Sequence, residues 1–193
     1  MKDAETSVPV HELIRRRWSP RALDETAVVT RAQVTALLEA ARWAPSYGNT
    51  QPARYLVGFR GDKTFEGILG ALNSGNQSWA HRAGALLIGA VVTANEKGDI
   101  PYAEYGLGLA SENLVLQAIA EGLVAHQMAG FNPHLVRREF DLPDEVVPLV
   151  AIAVGTPGDP AQLDDRRRDR EQAARRRVPL SEFAFTGRWG RSF

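Results

Sequence analysis

Cysteine is absent from the chain, and its absence excludes disulfides, thiolate nucleophiles, iron–sulfur clusters and Cys-based zinc sites together. An excess of either charge is also missing: 23 basic residues balance 23 acidic ones, so nothing global calls for nucleic acid or a membrane surface. The longest apolar run, near Ala83 to Ala94, is too short to span a bilayer. The start, Met1-Lys2-Asp3-Ala4-Glu5, lacks the basic-then-apolar order of a signal peptide, so a cytoplasmic location is the default expectation. His11, His81, His126 and His134 show no metal-ligand spacing, and no metal is expected. A Walker A sequence is missing, as is a Gly-x-Ser-x-Gly setting for Ser46 or Ser111. Gly106-Leu107-Gly108-Leu109-Ala110-Ser111 nearly spells a dinucleotide fingerprint, but it lies inside a helical stretch and reads as small-residue packing.

What is present is an ordinary globular composition, 44% hydrophobic and 24% charged, over 193 residues with no linker before the C-terminal tail, so one domain spanning 1–193 is expected. A short helix over about Val10 to Arg17 has a basic exit, Arg15-Arg16-Arg17, and Pro20 stops it. Thr30 and Gln33 form a capping box that opens a helix carrying Val34, Leu37, Leu38 and Ala41 at helical spacing. Strands are predicted over Arg54 to Phe59, Leu86 to Val92, Val124 to Met128 and Leu149 to Val154; the second, apolar on both faces, belongs in mid-sheet. The longest helix, about Pro101 to Glu121, is apolar around much of its circumference and must be buried in the domain or at an interface. Gly122 suits its C-cap, and Asn132-Pro133 suits the start of a further helix. Without strict βαβ alternation, the pattern favours an α+β fold with helices on a central mixed sheet. From about residue 160 the chain turns Arg-rich with Asp and Glu between, then ends on exposed-type aromatics; this tail, 160–193, has little core of its own and is expected to lie across a second subunit.

Three dispersed clusters could hold a phosphate-bearing flat ligand. In Arg17-Trp18-Ser19-Pro20-Arg21, guanidinium and hydroxyl groups suit charge-assisted bonds to phosphate, although spacing alone favours the simpler reading of a solvated basic helix end complementing the helix dipole. Pro45-Ser46-Tyr47-Gly48-Asn49-Thr50-Gln51-Pro52 is an ordinary loop composition, yet Ser46, Asn49 and Gln51 offer donors and acceptors in a short rigid span, as reading the edge of a flat ring requires. Arg175-Arg176-Arg177 could add phosphate charge or simply end an exposed mixed-charge segment.

Taken in order, these clusters resemble the nitroreductase family: Arg-x-Ser-x-Arg after the first helix, Pro-Ser-x-x-Asn-x-Gln-Pro at Pro45 to Pro52, Asn-Gln-x-Trp at Asn76 to Trp79, a Gly-Phe turn at Ala129-Gly130-Phe131, and Arg175 and Arg177 two apart before Pro179. The resemblance covers about His11 to Pro179. It implies an FMN-dependent oxidoreductase with NADH or NADPH as donor and a small acceptor such as a nitroaromatic or quinone, working by a ping-pong mechanism as a homodimer with flavin sites between subunits. It implies that Arg17, Ser19, Arg175 and Arg177, with Trp18 in the same segment, hold the FMN phosphate and ribityl chain, and that Arg21 and Asn76 face the ring. Pro45, Ser46, Asn49 and Gln51 would come from the partner, and the backbone at Ala129 and Gly130 would lie near the reactive nitrogen. Tyr47 and Trp79 are expected to wall the substrate pocket. Trp79 stands where some relatives carry Lys, which leaves Arg21 as the one cation expected beside the reduced ring. No catalytic acid or base is required of a side chain. Narrower reductive chemistry on the same flavin, such as dehalogenation or activated double-bond reduction, is an alternative. A flavin-free anion- or nucleic-acid-binding protein using the Arg-rich tail is another, opposed by the balanced charge.

Overall fold

The computed structural model describes residues 2–193; Met1, first residue of the polar start, lies outside the described residues. In chain order the elements are α1 (Glu12–Arg16), α2 (Arg31–Arg42), β1 (Ala53–Phe59), α3 (Lys63–Ala71), α4 (Ser74–Ala80), β2 (Ala85–Val92), β3 (Ala94–Asn95), β4 (Gly98–Asp99), α5 (Ala103–Ala120), β5 (Val124–Met128), α6 (Pro133–Glu139), β6 (Val146–Gly155), α7 (Asp165–Gln172) and α8 (Leu180–Phe183). The Thr30 capping box is formed in both directions: Thr30 Oγ1 accepts from the Gln33 N–H at 3.2 Å, and Gln33 Oε1 accepts from the Thr30 N–H at 3.0 Å. Asn132 caps α6 with Pro133 in its first turn, and Gly122, at φ 74°, ends the α5 segment in the left-handed region where glycine carries no penalty.

Four strands form one sheet in the order β1-β2-β6-β5. All three pairings are antiparallel, from Ala53↔Val91 through Ala85↔Val154 to Val124↔Gly155, so within the chain the sheet is not the mixed one expected. The expectation failed because a doubly buried strand reads as a continuous apolar run whichever way its neighbours point. β2 sits centrally, as its composition requires, and its alternation divides two cores. Leu86 and Ile88, with Ala151 and Ala153 of β6, pack on one face against Phe65 and Ile68 of α3 and Trp79 of α4. Ala85 and Leu87, with Ile152 and Val154, pack on the other against Leu37 of α2 and Leu114 and Val115 of α5. Each such fully buried Leu or Ile contributes about 1.5–3 kcal/mol relative to exposure.

α5 is buried along most of its length through Ala103, Gly106, Leu107, Ala110, Leu114 and Ala118. Gly106 belongs to the near-fingerprint and serves packing: a Cβ there would sit 3.0 Å from Pro52. β3 and β4 form a small hairpin between β2 and α5, all that the short span after Thr93 accommodates. No helix among the described residues is long and apolar enough to cross a membrane.

The tail does not fold onto a core of its own. Val178, Leu180, Phe183, Trp189 and Phe193 are exposed, the last two at 89% and 93%. Its buried members are Leu163, 6% exposed and packed into the core under α3, and Glu171, 4% exposed.

Candidate functional site

The loop after α1 is built from below and from the side. Arg17 leaves the helix in an extended conformation, and the carbonyl of buried Pro20 accepts from Nδ1 of His126 on β5 at 2.9 Å. His126 is 9% exposed and its ring lies 4.7 Å from that of Trp79. Burial, opposed by the Pro20 bond, pushes its pKa down to about 4, so the ring is neutral at pH 7 and supports the loop without adding charge. From the side, the Glu171 carboxylate accepts the N–H of Arg21 at 2.9 and 3.1 Å and that of Ala22 at 3.0 Å. With the backbone fixed at both points, the side chains of Arg17, Ser19 and Arg21 are left for other partners.

Arg17 Nη1 lies 3.3 Å from Ser19 Oγ, and its Nε lies 4.0 Å from a carboxylate oxygen of Glu112 on α5. Burial holds the Glu112 carboxyl above its ordinary pKa, and Arg17 partly offsets that. The late arginines arrive at the same place. Arg175 Nη1 donates to the carbonyls of Lys2 at 3.1 Å and Arg15 at 3.2 Å, which sets it against the end of α1. Its pKa is lowered by burial and then by the positive fields of Arg17 and Arg177. Two arginine clusters separated by some 158 positions of sequence, Arg17 to Arg175, therefore share one electrostatic neighbourhood, in which Glu112 lies beside Arg17 and Asp3 acts on Arg175. Such an excess of like charge is what an anionic group would relieve.

Arg21 faces a cavity of about 240 Å³ that it shares with Asn73 and Asn76 at the start of α4 and with Arg166, Arg167 and Arg170 of α7. Burial lowers the Arg21 pKa, Glu171 counteracts, and Arg170 and Arg167 add to the lowering. The turn after β5 closes on the same helix start: Asn76 Nδ2 and the Asn73 N–H each donate to the Gly130 carbonyl at 3.0 Å. A Cβ at Gly130 would fall 2.4 Å from Asn73 Nδ2 and 2.7 Å from Asn76 Nδ2, so any larger residue would displace these two amides. Ala129, beside it, is exposed. Arg21, Asn76 and the Ala129-Gly130 backbone thus come together.

Pro45, Ser46, Asn49 and Gln51 do not join them within the chain. Ser46 Oγ accepts from the Gln51 N–H at 2.9 Å, and Gly48, Asn49 and Gln51 all have positive φ, making a tight turn beside α5. Pro45, Ser46 and Gln51 line a separate cavity of about 330 Å³ with Arg42, Arg54 and Gly106. Tyr47 is 57% exposed and packs against exposed Tyr102 at 5.5 Å between ring centroids. Trp18 is half-buried, with Lys2 Nζ 5.4 Å from its ring centroid.

Trp79 is a correction. Instead of walling a substrate pocket it is fully buried in the core under the sheet, its Nε1 without a hydrogen-bond partner. A tryptophan followed by a small residue and an apolar strand fits a core position as readily as a pocket wall, and α4 turns it inward. Nor is Arg21 the one cation at its end of the site, because α7 brings three more. Sequence reasoning also missed His126, Glu112, Asn73 and Glu171; a lone histidine and one glutamate inside a charge run carry no pattern that marks them. A groove of about 570 Å³ runs between α3 and α6, where Lys63 and Arg138 alternate with Asp62, Glu66 and Glu139; this mixed lining suits neither a phosphate nor a flat apolar ring. Among the described residues no group of three or more His, Asp or Glu could hold a metal ion.

A model of the nitroreductase family matches residues 14–75 and 59–156. An uncharacterized 15.4 kDa protein of Mycolicibacterium smegmatis is 38% identical over 147 residues, covering 71% of this chain and 97% of its own length. YodC of Bacillus subtilis, whose name proposes an NAD(P)H nitroreductase, is 25% identical over 80% of this chain and 93% of its own. A solved oxidoreductase containing FMN superposes with a TM-score of 0.92 at 31% identity, over 98% of this chain and 97% of that one. A Desulfovibrio desulfuricans structure in complex with FMN gives 0.72 at 25% identity, over 95% and 99%.

Proposed function

The chain belongs to the nitroreductase family, and from that premise we propose that it is an FMN-dependent oxidoreductase taking electrons from NADH or NADPH and passing them to a small acceptor such as a nitroaromatic or a quinone. The observation that carries the reading is the convergence of Arg17 and Ser19 with Arg175 and Arg177. A phosphate monoester matches this donor set: one hydroxyl and several guanidiniums, which outnumber the acids Glu112 and Asp3 beside them. The naming of FMN in one similar solved structure and its presence in another agree with it.

In this reading Arg17, Ser19, Arg175 and Arg177 hold the phosphate and ribityl chain, with Trp18 alongside, while Arg21, Asn76 and the Ala129-Gly130 backbone meet the ring. When bound, FMN supplies the transfer of electrons, alternately accepting them from the nicotinamide and giving them to the acceptor in a ping-pong sequence. Arg21 contributes positive charge where negative charge would accumulate on reduction, and among the described residues that line its cavity there is no carboxylate or histidine to act as acid or base. His126 and Glu171 act as positioning residues, fixing the loop that carries Arg17 and Arg21.

The same reading makes the working unit a homodimer of one-domain subunits. Within one chain the Pro45–Gln51 turn lines a different cavity from Arg21 and carries exposed Tyr47, packed on exposed Tyr102, while Phe183, Trp189 and Phe193 of the 160–193 tail are uncovered. A second copy would cover both and bring Pro45, Ser46, Asn49 and Gln51 to the flavin.

The deciding experiment is replacement of Arg17 and Arg177 by Ala. Flavin recovered with the purified protein should fall at least about tenfold, as loss of charge-assisted phosphate bonds predicts; undiminished flavin content would sink the site assignment.

A further inference from the structure

The arginines of α7 are divided by helical geometry into two sets. Arg167 bonds Asp164 and also donates to the Gly75 carbonyl at 2.9 Å, and Arg168 bonds Asp165 at 2.7 Å. Arg166 and Arg170, one turn apart, face the 240 Å³ cavity beside Arg21, and neither they nor the Arg21 guanidinium has a carboxylate within ion-pairing distance among the described residues. The nearest acid, Glu171, spends both carboxylate oxygens on the backbone N–H groups of Arg21 and Ala22. Three guanidiniums without a direct ion pair, Arg21 alone feeling the field of Glu171, thus line a space below the usual size for enclosing a whole small-molecule ligand but ample for one charged group of it.

We propose that Arg21, Arg166 and Arg170 form an oxyanion subsite for a carboxylate or phosphate group carried by the second substrate, next to the flavin. The inference rests on the flavin reading above, and it adds a substrate class: acceptors or donors with an anionic group within reach of the ring edge. Planar guanidinium forks suit either oxyanion bidentately. Arg166 and Arg170 are solvent-exposed, so the attraction is screened and should weaken as salt rises.

The two sources of such an anion are separated by paired ligands on the FMN-loaded enzyme. Benzoate against benzamide probes a carboxylate on an acceptor, and NADP⁺ against NAD⁺ probes the 2′-phosphate of the donor; binding is read by calorimetry and by perturbation of the flavin absorption band. In at least one pair the more anionic member should bind about tenfold more tightly at low salt. That preference should shrink to less than about twofold in R166A/R170A, with flavin content unchanged. Equal affinities within both pairs, or a preference that survives in the double variant, would overturn the proposal. Loss of flavin from R166A/R170A would also overturn it, by showing that these arginines hold the cofactor itself. Failure of the underlying flavin reading has a different signature, a wild-type protein that is colourless and takes up no FMN on reconstitution.

Discussion

His126 binds a proton far more weakly in the folded protein than in the unfolded chain, because burial pushes its pKa from near 6.5 down to about 4. The unfolded state therefore holds more protons between these values, so stability is complete above about pH 6.5 and declines as pH falls toward 4. The loss should reach about 3 kcal/mol from this group, read as urea midpoints across pH, and His126→Asn, which keeps a donor for the Pro20 carbonyl, should flatten that part of the profile. Trp79→Ala should cost about 3–5 kcal/mol as a core truncation, whereas Trp79→Phe should leave the ranking of acceptors unchanged in steady-state assays; a changed ranking would restore the pocket-wall role. Gly130→Ala forces a methyl against two asparagine amides and should reduce flavin retention more than thermal stability. At this scale Arg17, Ser19 and Arg21 were legible because a motif marked them. His126, Glu112 and Asn73 were not, since their roles depend on which distant backbone or charge they meet.

α7 shows what a single element hides in a sequence. Asp165 to Gln172 reads as a solvated mixed-charge run, and most of it is one, yet Glu171 turns inward and its carboxylate replaces water on two backbone N–H groups. Glu171→Gln should cost about 1–3 kcal/mol and expose 165–177 to limited proteolysis before the rest of the chain unfolds; a protease pattern identical to wild type would contradict this role. The elements predicted over 10–155 were recovered within a few residues, because capping boxes, turn prolines and periodicity are local signals, as at Thr30 with Gln33 and Asn132 with Pro133, whereas α4, the β3-β4 hairpin and α8 were not predicted. Strand direction was not recoverable. Ala85 to Val92 is apolar on both faces because helices cover both faces, and that pattern is blind to whether β6 runs with it or against it.

At the scale of the whole molecule, one chain brings the two arginine clusters together but leaves the Pro45–Gln51 turn apart from them. If the proposed dimer completes the site, sedimentation should show two copies per particle, and dilution toward monomer should release flavin in parallel with dissociation; a monomer that keeps its flavin would refute the shared site. The resemblance could indicate a partner because its motif order spans both halves of the site, while composition and spacing alone could not. Glu171 also ties together regions that the chain separates by about 150 positions, since its carboxylate grips the Arg17–Arg21 loop while its helix carries Arg166 and Arg170 and leads on to Arg175. A ligand that steadies that loop then strengthens the docking of α7 by the same coupling free energy that docked α7 adds to ligand binding. Amide exchange in the tail should slow on loading with nucleotide, and clipping the tail should loosen a loop near the opposite end of the sequence.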